Sequence, residues 1–306
     1  MRTESRLKRC KPDFISNYEL YLMLLPGLAM LIIFRYIPIG GLVMAFKDYN
    51  VFRGFWESDW VGLKHFYELF DSPDFYKILR NTVVISFNKL IFGFPAPILL
   101  AIFLNEIKNV RVKRISQNIY YLPHFLSWVL IAGLAFEVFS LKGPINQIIT
   151  AVGLEPVMFL GDPKYFVSSL VLSEIWKDTG WGTIVYLAAL TSIDVQLYEA
   201  AKIDGASKFK QILYITIPCM VPTIIVLFIV RVSRIMDAGQ DQILMMYNPL
   251  VMDIADVIDT YVYRVGLGQA QYSFTTAVGM FKSVVAMIFV LGSNNIIKKL
   301  RGEGIW

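Results

Sequence analysis

Apolar stretches of about twenty residues or more recur six times along this sequence, near 18–46, 81–105, 116–140, 166–190, 219–237 and 272–296. Each is long enough to cross the hydrocarbon core of a bilayer as a helix. A lipid-embedded segment must satisfy its own backbone hydrogen bonds, so the pattern specifies an all-α membrane protein with six transmembrane helices. The charged fraction, 17%, agrees, since soluble domains carry about 25%. The first run is too long for a signal peptide and lacks a small-residue cleavage site, so it reads as a span. Neither an internal repeat nor a low-complexity segment stands out.

Six spans place both termini on one side, and the distribution of Lys and Arg decides which side. Residues 1–17, 106–115, 194–218 and 297–306 carry 15 Lys and Arg, whereas 47–80, 141–165 and 238–271 carry 8 in longer segments. Asp and Glu run the other way, 7 against 12. Both termini and the 194–218 loop are therefore expected in the cytoplasm. The organisation is a cytoplasmic segment at 1–17, a six-helix domain at 18–296 and a cytoplasmic tail at 297–306. Cys10 and Cys219 both fall near that face without metal-ligand spacing, so neither a structural disulfide nor a metal site is expected. Cys10 follows no apolar run and does not read as a lipoprotein cleavage site.

Residues 194–218, DVQLYEAAKIDGASKFKQILYITIP, are polar between two apolar runs. Asp194 can accept the free amides of a first helical turn. Gly205 can take the left-handed conformation that ends that helix, and Ser207 can cap a second one. Pro218 marks the start of the next span. The first helix shows Tyr198, Ala201 and Ile203 beside Glu199, Lys202 and Asp204. A helix this short is marginal alone, so a partner is expected to hold it, with a solvated loop as the alternative.

Glu199-Ala200-Ala201, Gly205 and Ile215-Thr216-Ile217-Pro218 resemble the "EAA…G…I-x-LP" loop of ATP-binding-cassette importer permeases, with Ile217 in place of the usual Leu. Tyr121-Leu122-Pro123-His124-Phe125-Leu126-Ser127-Trp128, Leu197 to Ala201 and Trp306 resemble the LplB-like oligosaccharide and polysaccharide branch of the maltose-permease superfamily. The resemblance covers nearly the whole chain. It implies the type I importer permease fold and a multi-pass subunit of the bacterial cell membrane. It further implies that Tyr198, Glu199, Ala200, Ala201, Asp204 and Gly205 form a coupling helix docked in a groove of the ATPase. The expected partners are a second, related permease chain, an ATPase dimer, an extracellular solute-binding protein and an oligosaccharide; no nucleic acid is expected.

The chain has no Gly-rich loop ending in Lys-Ser or Lys-Thr, no clustered Cys and His, and two scattered histidines, His65 and His124. It is therefore not expected to be an enzyme or to hold a cofactor; ATP and Mg would sit on the partner ATPase. The chemistry lies in charges within the spans: Arg35, Lys89, Glu137, Glu174, Lys177, Asp178, Arg231, Arg234 and Lys282. Such groups face a protein interior or a wet cavity, because each costs about 2.5–3.5 kcal/mol at a helix centre on insertion scales.

Glu174, Lys177, Asp178 and Trp181 fall at i, i+3, i+4 and i+7, one helical face. Carboxylates, an ammonium and an indole are the mixture that binds sugars. A Glu174–Lys177 ion pair that only joins helices is the alternative. Arg231 and Arg234 fall three apart on the fifth span, facing a pore or bridging to the fourth span. Lys89 and Arg35 read as snorkelling or paired, Lys282 as a weaker site candidate. The resemblance implies sugar contacts from the spans on either side of the coupling loop. Gapless counting from Glu199 and from Pro218 lands on Glu174, Lys177, Asp178 and Trp181, and on Arg234, Ile235 and Ala238. Two cations facing a pore would suit an acidic glycan. Asp253, Asp256 and Asp259 are open to docking a binding protein or to plain solvation, and Trp56 and Trp60 read as interfacial anchors. Two other classes stay open: an ion-coupled secondary transporter using Glu174 and Asp178 as relays, and a membrane-embedded enzyme. The first lacks paired halves and the second a catalytic cluster.

Overall fold

The computed structural model describes residues 18–301. The basic segment 1–17 with Cys10, and residues 302–306 with Trp306, lie outside the described residues. Eight helical elements carry the architecture: α1 Tyr18–Phe46, α2 Pro73–Glu106, α3 Val110–Phe125, α4 Trp128–Val138, α5 Pro163–Thr191, α6 Val195–Ile203, α7 Lys208–Val232 and α8 Tyr272–Arg301. Among the described residues, α1, α2, α7 and α8 are long and apolar enough to cross a membrane, and α3 with α4 would make a fifth span as one bent unit.

The organising element is α5. Its 29 residues span about 44 Å at 1.5 Å per residue, more than a bilayer core of about 30 Å. Its average apolarity is lowered by Glu174, Lys177 and Asp178 near its middle, and those are the charges that α5 turns inward. Phe166, Leu170, Ser173, Lys177, Gly180, Thr183, Leu187 and Leu190 recur at three- and four-residue steps and are buried. That face packs against α2, α3 and α7. One apolar cluster joins Ala101, Leu104, Tyr186, Leu190 and Met220 from α2, α5 and α7. A second joins Ile85, Phe166 and Leu170 to Ile243, Met246 and Val251 of the segment after α7. A third ties Phe75 and Ile78 of α2 to Val278 of α8.

Several expected boundaries move. α2 starts at Pro73 rather than 81, and its hydrogen-bond pattern breaks at Phe94, before Pro95 and Pro97. The basic segment 106–115 is not a loop throughout: Asn109 accepts from the amides of Arg111 and Val112, capping a helix from Val110. The expected span 116–140 is broken into two helices, with α3 and α4 at 104°. A short tight turn over Leu122–Phe125 holds Pro123, and Ser127 caps α4. α7 begins at Lys208, eleven residues before the expected 219, through a π-helical turn at Ile212–Thr216 that accommodates Pro218, which lacks an amide proton. α8 runs to Arg301, so 297–301 is helix rather than tail.

Two departures from an all-helical chain are small. Lys47–Asp48 (β1) and Asp59–Trp60 (β2) pair antiparallel after α1, with Lys47 opposite Trp60. An amphipathic helix, Lys64–Asp71, follows. The acidic segment 238–271 is partly helical, and its acids are not free: Asp253 pairs with Lys77, Asp256 with Arg264 and Asp259 with Lys282. The docking reading of these three carboxylates is therefore not carried by free charge.

Candidate functional site: a polar cavity around the middle of α5

A cavity of about 440 Å³ opens where α2 breaks, α3 turns into α4, and α5 faces α7. Phe94, Pro97, His124, Glu174, Asp178, Trp181, Arg231 and Arg234 line it. A second space of about 230 Å³ shares Glu174, Asp178, Arg231 and Arg234 and adds Lys89, Trp128, Asp237 and Gln242. The four shared charges form the wall between them.

Glu174 is the anchor. Lys89 Nζ of α2 lies 2.6 Å from its Oε2, and Arg231 bonds its other oxygen. Lys89 is 4% exposed and also donates to the Ala238 carbonyl at 2.7 Å and to Gln242 Oε1. Gln242 Nε2 in turn donates to the Leu170 carbonyl and Ser173 Oγ of α5. The chain after α7 can approach Lys89 because Gly239 sits at φ +89°, and a Cβ there would crowd the ammonium. Glu174 therefore pairs across three elements and not with Lys177. Of the two readings of Arg231, the bridge between α5 and α7 is the one seen.

Lys177 is buried and turned away from the cavity. It donates to the carbonyls of His124 at 2.8 Å and Leu126 at 2.6 Å, with its ammonium 5.4 Å over the Trp128 ring. It thus satisfies carbonyls that the broken helix leaves open. Gly180 completes the fit, since a Cβ there would overlap the Tyr120 carbonyl. The residue after Lys177, Asp178, places its Oδ1 2.9 Å from His124 Nδ1. The imidazole stacks on Trp181 at 4.7 Å between centroids, 4° from parallel, and Phe125 meets the same indole edge-on.

α7 ends at Val232, so Arg234 and Ile235 are not on its helical face as expected; they lie in the turns that follow. Arg234 still reaches both cavities, and its guanidinium has no hydrogen-bond or ion-pair partner among the described residues. Ile235 lines the smaller space and packs with the α2–α8 cluster. Ala238 contributes a carbonyl rather than a side chain. Lys282, the weaker candidate, binds Asp237 and Asp259. Burial holds the Asp259 carboxyl above the usual range despite that lysine.

The 194–218 segment takes the local structure expected of it. Asp194 Oδ1 accepts from the Gln196 amide at 2.9 Å, Gly205 is left-handed at φ +72°, and Ser207 Oγ accepts from the Lys210 amide. Tyr198 Oη contacts Thr216 Oγ1 at 2.9 Å, and Lys208 pairs with Glu106 at 2.8 Å, tying the loop to α7 and to the end of α2. Ile203 is 88% exposed and Phe209 is exposed beside it.

Lys89 and His124 were missed as site residues. Thr82, Ser86 and Lys89 at i, i+4 and i+7 form a buried polar stripe on α2, a signal the sequence did carry. His124 sits in a stretch read as part of the span 116–140, 54 residues from its partner, and no spacing rule reveals it.

With this geometry in hand, the comparisons are specific. The family model described as "Binding-protein-dependent transport system inner membrane component" matches residues 93–301. Protein LplB of Bacillus subtilis (strain 168) is 45% identical over 288 residues, 94% of this chain and 91% of that protein. The polygalacturonan/rhamnogalacturonan transport system permease protein YteP of the same organism is 42% identical over 304 residues, 99% and 95% of the two chains. A chain of a solved bacterial ATP-binding-cassette transporter, described as involved in import of the acidic polysaccharide alginate, superposes with TM-score 0.86. It is 42% identical, covering 94% of this chain and 98% of that one.

Proposed function

The chain belongs to the family of inner membrane components of binding-protein-dependent transport systems, and as a sugar-importer permease of the ATP-binding-cassette type we propose that it carries an acidic oligosaccharide. The observation that carries the substrate class is the charge balance of the cavity. Glu174 is neutralised between Lys89 and Arg231, and Asp178 faces His124, which leaves the Arg234 guanidinium unpaired on the wall of both cavities. An unpaired guanidinium is suited to a carboxylate, which it can bind with two parallel hydrogen bonds. The acidic cargo of the alginate relative and the polygalacturonan cargo of YteP support the same reading.

In the assembled importer, this subunit forms half of the pathway beside a second, related permease. A solute-binding protein delivers the oligosaccharide, and an ATPase dimer, which holds ATP and Mg, drives the cycle. The bent α3–α4 unit and α5 complete six crossings with both termini in the cytoplasm of a bacterial cell membrane. The 194–218 loop is the coupling element, with Tyr198 to Gly205 docked on the ATPase and Ile203 at the contact. α1 supports a lipid or second-permease environment, since nothing from Tyr18 to Tyr36 is buried in this chain. Alternating access then moves the cavity between two openings whose balance nucleotide and loaded binding protein shift. An ion-coupled cycle through Glu174 and Asp178 is not supported, because a carboxylate held by two cations is a poor proton relay.

The test is uptake by the reconstituted importer of acidic oligomers and of the same oligomers with their carboxyls reduced to alcohols. The wild type is expected to prefer the acidic form, and Arg234→Gln to lose about tenfold of that preference, the worth of one hydrogen bond to a charged group. Equal uptake of both oligomers by the wild type contradicts the acidic reading.

A further inference from the structure

We propose that His124 is a substrate-contacting, specificity-determining residue, its imidazole offering Nε2 to the carboxylate of the glycan; the inference rests on the acidic-oligosaccharide reading above. His124 comes from the broken segment between α3 and α4, not from the helices flanking the coupling loop. Three independent features fix it. Lys177 clamps the carbonyls of His124 and Leu126. The absence of a Cβ at Gly180 lets α5 meet the Tyr120 backbone. Trp181 stacks flat against the ring. A side chain held from the backbone, from a close helix contact and from its own π-face keeps one orientation, which is what recognition of a single group requires.

The orientation assigns the two ring nitrogens. Nδ1 is 2.9 Å from Asp178 Oδ1, and an ionised carboxylate only accepts, so Nδ1–H donates. Nε2 has no protein partner among the described residues, and the ring lines the larger cavity with about a third of its side chain exposed. A carboxylate at Nε2 can only accept, so in the complex Nε2 also carries a proton and the ring donates from both nitrogens. The other charged groups on this wall are Glu174, Arg231 and Arg234; the first two are joined to each other, so His124 and Arg234 are the groups left to meet an incoming anion. The packing also revises how Trp181 acts. One of its faces is covered by the imidazole and its edge by Phe125, so His124 and Trp181 meet a sugar as one two-ring surface with a polar nitrogen at its margin.

The experiment uses the full importer in proteoliposomes with its binding protein, and acidic oligomers against their carboxyl-reduced counterparts. His124→Gln and His124→Phe are compared with the wild type. Gln keeps a polar group and Phe keeps the stack on Trp181. The ratio of kcat/KM for acidic over reduced oligomer is expected to fall about tenfold in His124→Phe, one charge-assisted hydrogen bond, and by less in His124→Gln. An unchanged ratio in both variants overturns the inference. Equal losses for both oligomers also overturn it, since that pattern belongs to a residue that only shapes the helix break. A wild type that takes up both oligomers equally defeats the acidic reading, and this inference with it.

Discussion

Lys177 separates what a residue looks like in a sequence from what it does in a fold. Its spacing from Glu174 and Trp181 suggests a pore-facing group, yet its ammonium is spent on two backbone carbonyls across the helix break. Lys177→Met keeps the length of the side chain and removes the donor. It leaves buried acceptors unpaired, which costs about 1–3 kcal/mol each. The purified transporter should therefore unfold at lower temperature, and because Lys177 also holds the His124 backbone, the acidic-over-neutral uptake ratio should fall by less than it does in His124→Phe. A changed ratio with unaltered melting would mean that Lys177 meets the substrate after all. Glu174, Asp178, Trp181 and Arg234 were legible because charge in an apolar run has few physical outlets. Their partners were not, because Lys89 and His124 lie 85 and 54 residues from the carboxylates they bind, and helical periodicity speaks only of neighbours on one helix.

Single elements were legible where local chemistry decides them. Asp194, Gly205 and Ser207 sit at the cap positions their side chains dictate, and α6 ends where glycine permits a left-handed residue. Boundaries failed where a helix runs on past its expected end or breaks within it. Pro218 does sit in the first turn of an α-helix, but a π-helical turn before it carries the helix back to Lys208, and Pro123 lies in the break that turns the expected 116–140 span by 104°. The element most open to test is α6. Gly205→Val forces a β-branched residue into φ +72°, a cost of about 1–2 kcal/mol, and misaims Ile203 and Phe209. ATP hydrolysis by the assembled complex should persist while substrate no longer stimulates it, with the subunit still present in the membrane. Stimulation equal to the wild type would remove α6 from the coupling path.

At the scale of the molecule, three apolar clusters meet around α2 and α5, and the ion pairs of Glu174 join α2, α5 and α7 at one point. α6 touches α7 through Tyr198 and Thr216, and the start of α7 pairs with the end of α2 through Lys208 and Glu106. α7 reaches the cavity wall at Arg231 and α2 passes it at Phe94 and Pro97, so the loop and the cavity are joined through the same two helices. The membrane class follows from apolar runs alone: four of the described helices are long and apolar enough to cross, and α3 with α4 would make a fifth span as one bent unit. The cavity does not, because it is made of breaks in helices rather than of the helices themselves. The central claim is that the 194–218 loop takes its motion from a separate ATPase. The most direct measurement is cross-linking from a cysteine at Ile203, in a background with Cys10 and Cys219 replaced by serine. The account predicts a covalent adduct with a co-purifying ATPase subunit, formed at a rate that changes when ATP is bound. A cysteine that reacts only with a membrane-impermeant reagent added outside intact cells, or that forms no adduct in a complex active in uptake, would contradict it.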